Sequence, residues 1–132
     1  MTGLLLDTHA AIWYLGDPGR LSATAMAAID SAYDLDAPLY VSAITLIEVM
    51  YLGEKRRISE EAAASVIEAL TCGNGFIVIA VDEAVANALA TIPRNAAPDM
   101  PDRIIAATGR MLNVPIVTKD HLIASSGVTT IW

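Results

Sequence analysis

Leu4-Leu5-Leu6-Asp7-Thr8-His9-Ala10-Ala11 is the stretch from which the fold can be read. Gly3 to Leu6 reads as a buried strand, and the chain passes without a spacer into a helix from about Thr8 to Leu15, stopped by the turn Gly16-Asp17-Pro18-Gly19. A strand that runs straight into a helix is the opening half of a strand-helix-strand unit. The same alternation continues along the chain, which predicts an α/β protein: a three-layer sandwich with a central, mainly parallel sheet flanked by helices.

Working outward, Ser22 caps an Ala-rich helix running to about Ala32, and Leu39 to Val41 is a second short strand. Ser42 caps a helix over Ala43 to Leu52 that Gly53 ends, and Ser59 with Glu60 and Glu61 opens another. The turn Gly73-Asn74-Gly75 precedes Phe76 to Val81, apolar at every position and so expected to be a central strand covered on both faces. Asp82 caps the next helix, and 95–98 is a loop. Pro101 suits the first turn of a helix over Asp102 to Leu112. Pro115 to Thr118 reads as a strand before a short helix near Asp120, and the β-branched run from Val128 to Trp132 as a final edge strand.

With 132 residues, 55% of them hydrophobic, the expectation is a single domain over 1–132 with a substantial core. No apolar run approaches the ~20 residues that cross a bilayer, and neither a basic leader nor a cleavage site surrounds Leu4 to Leu6, so a cytoplasmic protein with no membrane association is expected. Cys72 is the sole cysteine, which excludes an internal disulfide and Cys-based zinc clusters and leaves a passive thiol. A net charge of -7 argues against a nucleic-acid partner unless part of it is concentrated where a divalent cation neutralises it.

That concentration is what the strand ends provide. Ligands of open α/β sheets bind beyond the carboxyl ends of the strands. Asp7 and Asp120 follow strands, Glu48 lies on the helix after the second strand, and Asp102 occupies a first helical turn. Asp7, Asp102 and Asp120 each have an ordinary reading as a cap or a first-turn acid. Glu48 does not: its neighbours at i-4 and i+4 are Ile44 and Leu52, and Thr45, Glu48 and Tyr51 form a polar stripe on an otherwise apolar helix. Two unscreened carboxylates ~4 Å apart repel by roughly 4 kcal/mol at an effective dielectric of 20, so a converged cluster calls for a proton or a cation. Hard oxygen donors select Mg²⁺ or Mn²⁺, and the chemistry implied is metal-assisted hydrolysis of a phosphodiester. Asp7 and Asp102 are expected as direct ligands, Glu48 as a ligand or water-orienting base, Asp120 as an outer or second-metal ligand, and Asp99 in support. Arg103 and Lys119, each beside a site acid, are candidates for contact with the scissile phosphate.

These segments resemble the PIN-domain ribonucleases, and among them the VapC-type toxins of type II toxin-antitoxin pairs. The resemblance rests on Leu4-Leu5-Leu6-Asp7-Thr8-His9 with Trp13, on Ser42-Ala43-Ile44-Thr45-Leu46-Ile47-Glu48, on Asp102-Arg103-Ile104-Ile105-Ala106-Ala107-Thr108, and on Ile116-Val117-Thr118-Lys119-Asp120. It implies a Mg²⁺ or Mn²⁺ site, endonuclease activity on RNA and inhibition by a small cognate antitoxin. By position, Asp7, Glu48, Asp102 and Asp120 match the family's acidic quartet, and Thr8 and Thr118 match hydroxyls beside it. Pro98-Asp99-Met100-Pro101 is a looser match.

Other classes fit less well. Asp7-Thr8-His9 lacks the second aspartate of an aspartyl phosphatase, no acid pair ends the first strand as in a phospho-acceptor receiver, and a silent binding module would have no reason to keep all four acids. His9 reads as a structural, hydrogen-bonded residue, Trp13 as core, and Lys55-Arg56-Arg57 as a solvated face. Apolar helices such as Ala62 to Leu70 belong either to the core or to a homodimer face, with a groove for an antitoxin helix. A homodimer is expected.

Overall fold

Strands β1 (Leu4–Leu6), β2 (Leu39–Ser42), β3 (Phe76–Ile79), β4 (Ile116–Val117) and β5 (Thr130–Ile131) form one sheet in the order β3-β2-β1-β4-β5, every neighbouring pair parallel. The structure is a computed structural model describing residues 3–72 and 75–132; Gly73 and Asn74 of the expected turn lie outside the described residues. Helices α1 (Thr8–Gly16), α2 (Ala23–Asp34), α3 (Ala43–Glu54), α4 (Glu60–Cys72), α5 (Glu83–Leu89), α6 (Met100–Leu112) and α7 (His121–Ala124) connect the strands, with a one-turn 3-10 helix at Pro18–Arg20.

Alternation along the strands makes three layers. Leu4 and Leu6 of β1, Leu39 and Val41 of β2 and Val117 of β4 face a core completed by Ala10 and Ala11 of α1, Ala25 and Ile29 of α2, and Ala63, Val66 and Leu70 of α4. Leu5 and Ile116 point the other way, into a core built by Val85 of α5, Ile104 and Ile105 of α6 and Ile123 of α7. Gly109 lets α6 lie close on the sheet: a Cβ there would stand 2.6 Å from Ile116.

The expected three-layer parallel architecture is therefore the observed one, and Ser22, Ser42, Asp82 and Asp120 accept backbone N–H bonds as helix caps. Two details differ. Phe76 to Val81 is not a central strand: β3 is an edge, paired only with β2, with Phe76 and Val78 packed on the first core and Ile77 48% exposed. The connection from β3 passes over β2 and β1 to reach β4, and this leaves β3 outermost. Nor does Gly53 end α3, which continues to Glu54 and stops where Arg56 turns to φ 57. Gly53 instead admits α4, since its Cβ would meet that of Ala63 at 2.9 Å.

β1 sits at the middle of the sheet, β2 on one side and β4 on the other. Successive strands leave β1 in opposite directions, so a crevice opens at their carboxyl ends.

Candidate active site

Asp7 is the first residue beyond β1 and is 8% exposed. Its Oδ1 accepts the Ala10 N–H at 2.8 Å as the α1 cap, and its Oδ2 accepts the Thr118 hydroxyl at 2.5 Å from the end of β4. The Thr118 hydroxyl oxygen in turn accepts the Asp120 N–H at 3.0 Å, so one threonine ties together the acids of two neighbouring strands. Burial pushes the Asp7 carboxyl above the ordinary range, against the pull of the Thr118 and Ala10 hydrogen bonds.

The Thr8 hydroxyl reaches across to α3, donating to Glu48 Oε1 at 2.5 Å, with the fully buried Thr45 hydroxyl 3.0 Å behind it. Of the expected stripe only Glu48 lines the crevice: Thr45 is buried behind it, and Tyr51 at the far end is 57% exposed. Glu48 is raised by burial, then pulled back by the Thr8 hydrogen bond.

Asp102 projects from the first turn of α6. Burial, then a hydrogen bond with Asp120 and that residue's charge, then Glu48 and Asp99, push its carboxyl up to about 7. Asp99 holds the N-cap position of α6 but makes no capping hydrogen bond, and its charge contributes to raising both Glu48 and Asp102.

Asp7, Glu48, Asp99, Asp102 and Asp120 line one cleft of about 500 Å³ with Thr8 and Lys119. Thr118 lies behind them, 3% exposed, as a support. Arg103 does not line this cleft. Its Nε and an Nη donate to the carbonyl of Ile92 at 3.2 and 3.0 Å, and an Nη donates to Leu89 at 3.3 Å, fastening the end of α5 to α6. The expectation that it meets the substrate overlooked these carbonyls.

Three further residues line the cleft: His9 and Trp13, expected as a structural residue and as core, and Arg20, for which no role was expected. His9 is exposed rather than hydrogen-bonded within the fold, and Trp13 packs against the core while also forming cleft wall. Arg20 reaches the cleft because the turn after α1 folds it back over Trp13. The only signal for it was the stop Gly16-Asp17-Pro18-Gly19 just before it.

No three His, Cys, Asp or Glu side chains among the described residues are drawn close enough to enclose an ion as they stand. Asp7 is turned to Thr118, Glu48 to Thr8 and Asp102 to Asp120. The donor set nevertheless has the chemistry of a hard divalent cation site: carboxylate oxygens only, partly buried, raising one another's proton affinity.

A profile of the PIN domain matches residues 4–125. Ribonuclease VapC22 of Mycobacterium tuberculosis (strain ATCC 25618 / H37Rv) is 33% identical over 126 residues, 95% of this chain and 92% of that protein. Among solved structures, VapBC2 from Rickettsia felis bound to a DNA fragment from their promoter aligns with a TM-score of 0.74, covering 98% of this chain and 97% of the matched one at 12% identity, a likeness of fold. FitAcB from Neisseria gonorrhoeae aligns at 0.63 with 26% identity, covering 96% and 95%.

Proposed function

Because this chain belongs to the PIN domain family, we propose that it is a divalent-metal-dependent endoribonuclease, a single catalytic domain acting in the cytoplasm as the toxin of a toxin-antitoxin pair. One observation carries the reading: five carboxylates from β1, α3, the N-terminal end of α6 and the segment after β4 meet in one cleft at the topological switch point of a parallel sheet.

PIN-domain ribonucleases generally use divalent metal ions. Asp7 and Asp102 are the residues to hold Mg²⁺ or Mn²⁺ here, with Glu48 and Asp120 completing the set. When bound, such an ion supplies charge to polarise a phosphoryl oxygen and lowers the pKa of a water. The chain's own residues do the rest. Thr118 fixes the Asp7 carboxylate through Oδ2, and Thr8 fixes Glu48 through Oε1. For Glu48, whose proton affinity burial raises, the proposed role is either that of a ligand or that of the base that takes the proton of the attacking water. Lys119 offers an ammonium to the phosphodiester, and the acids around it repel any strand not so held.

The proposed partners are RNA, a small antitoxin and a second copy of the chain. Homodimer formation is supported by α3, where Ile47, Met50 and Tyr51 share a face and are each about half exposed. An antitoxin helix is supported by an apolar groove of about 380 Å³ beside the cleft, lined by Ile12, Leu52, Ile58 and Val66. No helix among the described residues is long and apolar enough to cross a membrane.

The test is cleavage of a defined RNA set with Mg²⁺, with Mn²⁺ and with EDTA, by the wild-type, Asp7→Asn and Asp102→Asn proteins. Cleavage restored by either ion, abolished by EDTA and lost in both variants is expected. Cleavage in EDTA, or wild-type rates in both variants, would refute it.

A further inference from the structure

An acidic cleft that takes a polyanion needs fixed positive charge at its wall, because a divalent ion among the acids serves only the phosphate being cleaved. Among the described residues, Lys119 and Arg20 are the only Lys or Arg side chains lining the cleft. Arg20 is also held in an uncommon way. Its guanidinium carbon stands 4.6 Å from the centre of the Trp13 ring, and that ring is buttressed by Trp132 at 5.8 Å and by His9 at 5.6 Å. The backbone is fixed as well: Arg20 N–H donates to Asp17 at 3.0 Å, Leu21 N–H to Pro18 at 3.1 Å, and the Leu21 side chain is buried immediately after.

A guanidinium lying on an aromatic face spends that face on the ring and leaves its in-plane N–H donors for an oxyanion. Arg103 and Arg110 differ in this respect, their guanidinium groups donating to main-chain carbonyls of Ile92 and Thr91. Arg20 moreover lines both the acidic cleft and the neighbouring, largely apolar groove, where Arg57 adds a second guanidinium and Asp17 one carboxylate. Arg20, with His9 and Trp13, stands where the cleft and the groove meet.

We propose that Arg20, held over the Trp13 ring, is a substrate-binding residue that grips a backbone phosphate of single-stranded RNA next to the one cleaved. The inference rests on the nuclease reading and adds to it the point where the strand crosses the wall. Fork geometry matters as well as charge, since two parallel N–H donors match two phosphate oxygens and an ammonium does not.

The test is binding of a fluorescein-labelled single-stranded RNA of mixed sequence, by anisotropy, to proteins carrying Asp102→Asn to prevent cleavage, between about 50 and 200 mM salt. Arg20→Ala is expected to weaken binding about tenfold, and the slope of log affinity on log salt to shrink by roughly 0.7, the value of one single-strand phosphate contact. Arg20→Lys should keep the slope and still lose several-fold in affinity, with Trp13→Phe between it and the parent. Mn²⁺ affinity and melting temperature, measured in the wild-type background, should stay unchanged for Arg20→Ala. Unaltered affinity and slope in Arg20→Ala would overturn the proposal, as would a fall in affinity with no change of slope or an equal fall in Mn²⁺ binding. So would an effect confined to binding of a protein partner. Should the wild-type protein bind RNA without cleaving it, the nuclease reading fails while the salt slope still decides the role of Arg20.

Discussion

Thr118 shows how much of the site depends on single hydroxyls. It donates to Asp7 and accepts from the Asp120 backbone, so Thr118→Val should leave the acids present but poorly aimed, lowering kcat/KM for RNA by about 10- to 100-fold with little change in melting temperature. Asp7→Asn should cost more than this range. Asp102 carries a second consequence. Its carboxyl is raised from 3.8 to about 7 without a metal, so between these values the folded chain holds a proton that the unfolded chain has released. Stability is then fully present below about 3.8 and declines as pH rises through about 7, with Asp7 and Glu48 acting in the same direction. The metal-free protein should melt several degrees lower at pH 8 than at pH 6, and Mn²⁺ should restore most of the difference at pH 8 while doing little at pH 6, as calorimetry can check. At this scale the sequence was informative about the acids, because each sits at a junction where a strand or a cap announces it. It was poorly informative about the cations. Arg103 was misjudged because its neighbour in sequence is a site acid, whereas its guanidinium follows the helix round to the carbonyls of Leu89 and Ile92.

Arg103 is better understood through the elements it joins. If it clamps α5 to α6, Arg103→Ala should lower the melting temperature by several degrees and leave the KM for RNA unchanged, a split that a substrate contact would reverse. Helix α3 supplies a second case. Its buried side holds Ile44, Thr45 and Val49, while Ile47, Met50 and Tyr51 face outward, so Met50→Glu should break the proposed dimer, giving a monomer in light scattering where the parent is a dimer, without unfolding it. Element types were legible wherever a cap preceded an apolar period, as at Ser22, Ser42 and Asp82. What failed was context. Gly53 carries the local mark of a helix end, but its role is set by Ala63, ten positions on in another helix. The uniform apolarity of β3 likewise does not distinguish an edge strand with one covered face from a central strand with two.

For the molecule as a whole, the order of strands does what no single element can. Five parallel strands put every carboxyl end on one side, and the reversal of direction at β1 opens the space into which Asp7, Glu48, Asp99, Asp102 and Asp120 project. In the proposed nuclease a net charge of -7 is compatible with RNA, because a share of that charge is gathered where a divalent cation would answer it, with Arg20 and Lys119 in the same cleft. Alternation of strands and helices made the sandwich legible from sequence; the convergence of the acids followed only once strand order was known. The most direct test of this account is titration of Mn²⁺ at pH 8 into metal-free wild-type and Asp102→Asn proteins, followed by electron paramagnetic resonance. Binding that saturates in the wild-type protein and is lost in Asp102→Asn is the predicted result, and equal binding by both proteins, or none by either, would contradict it.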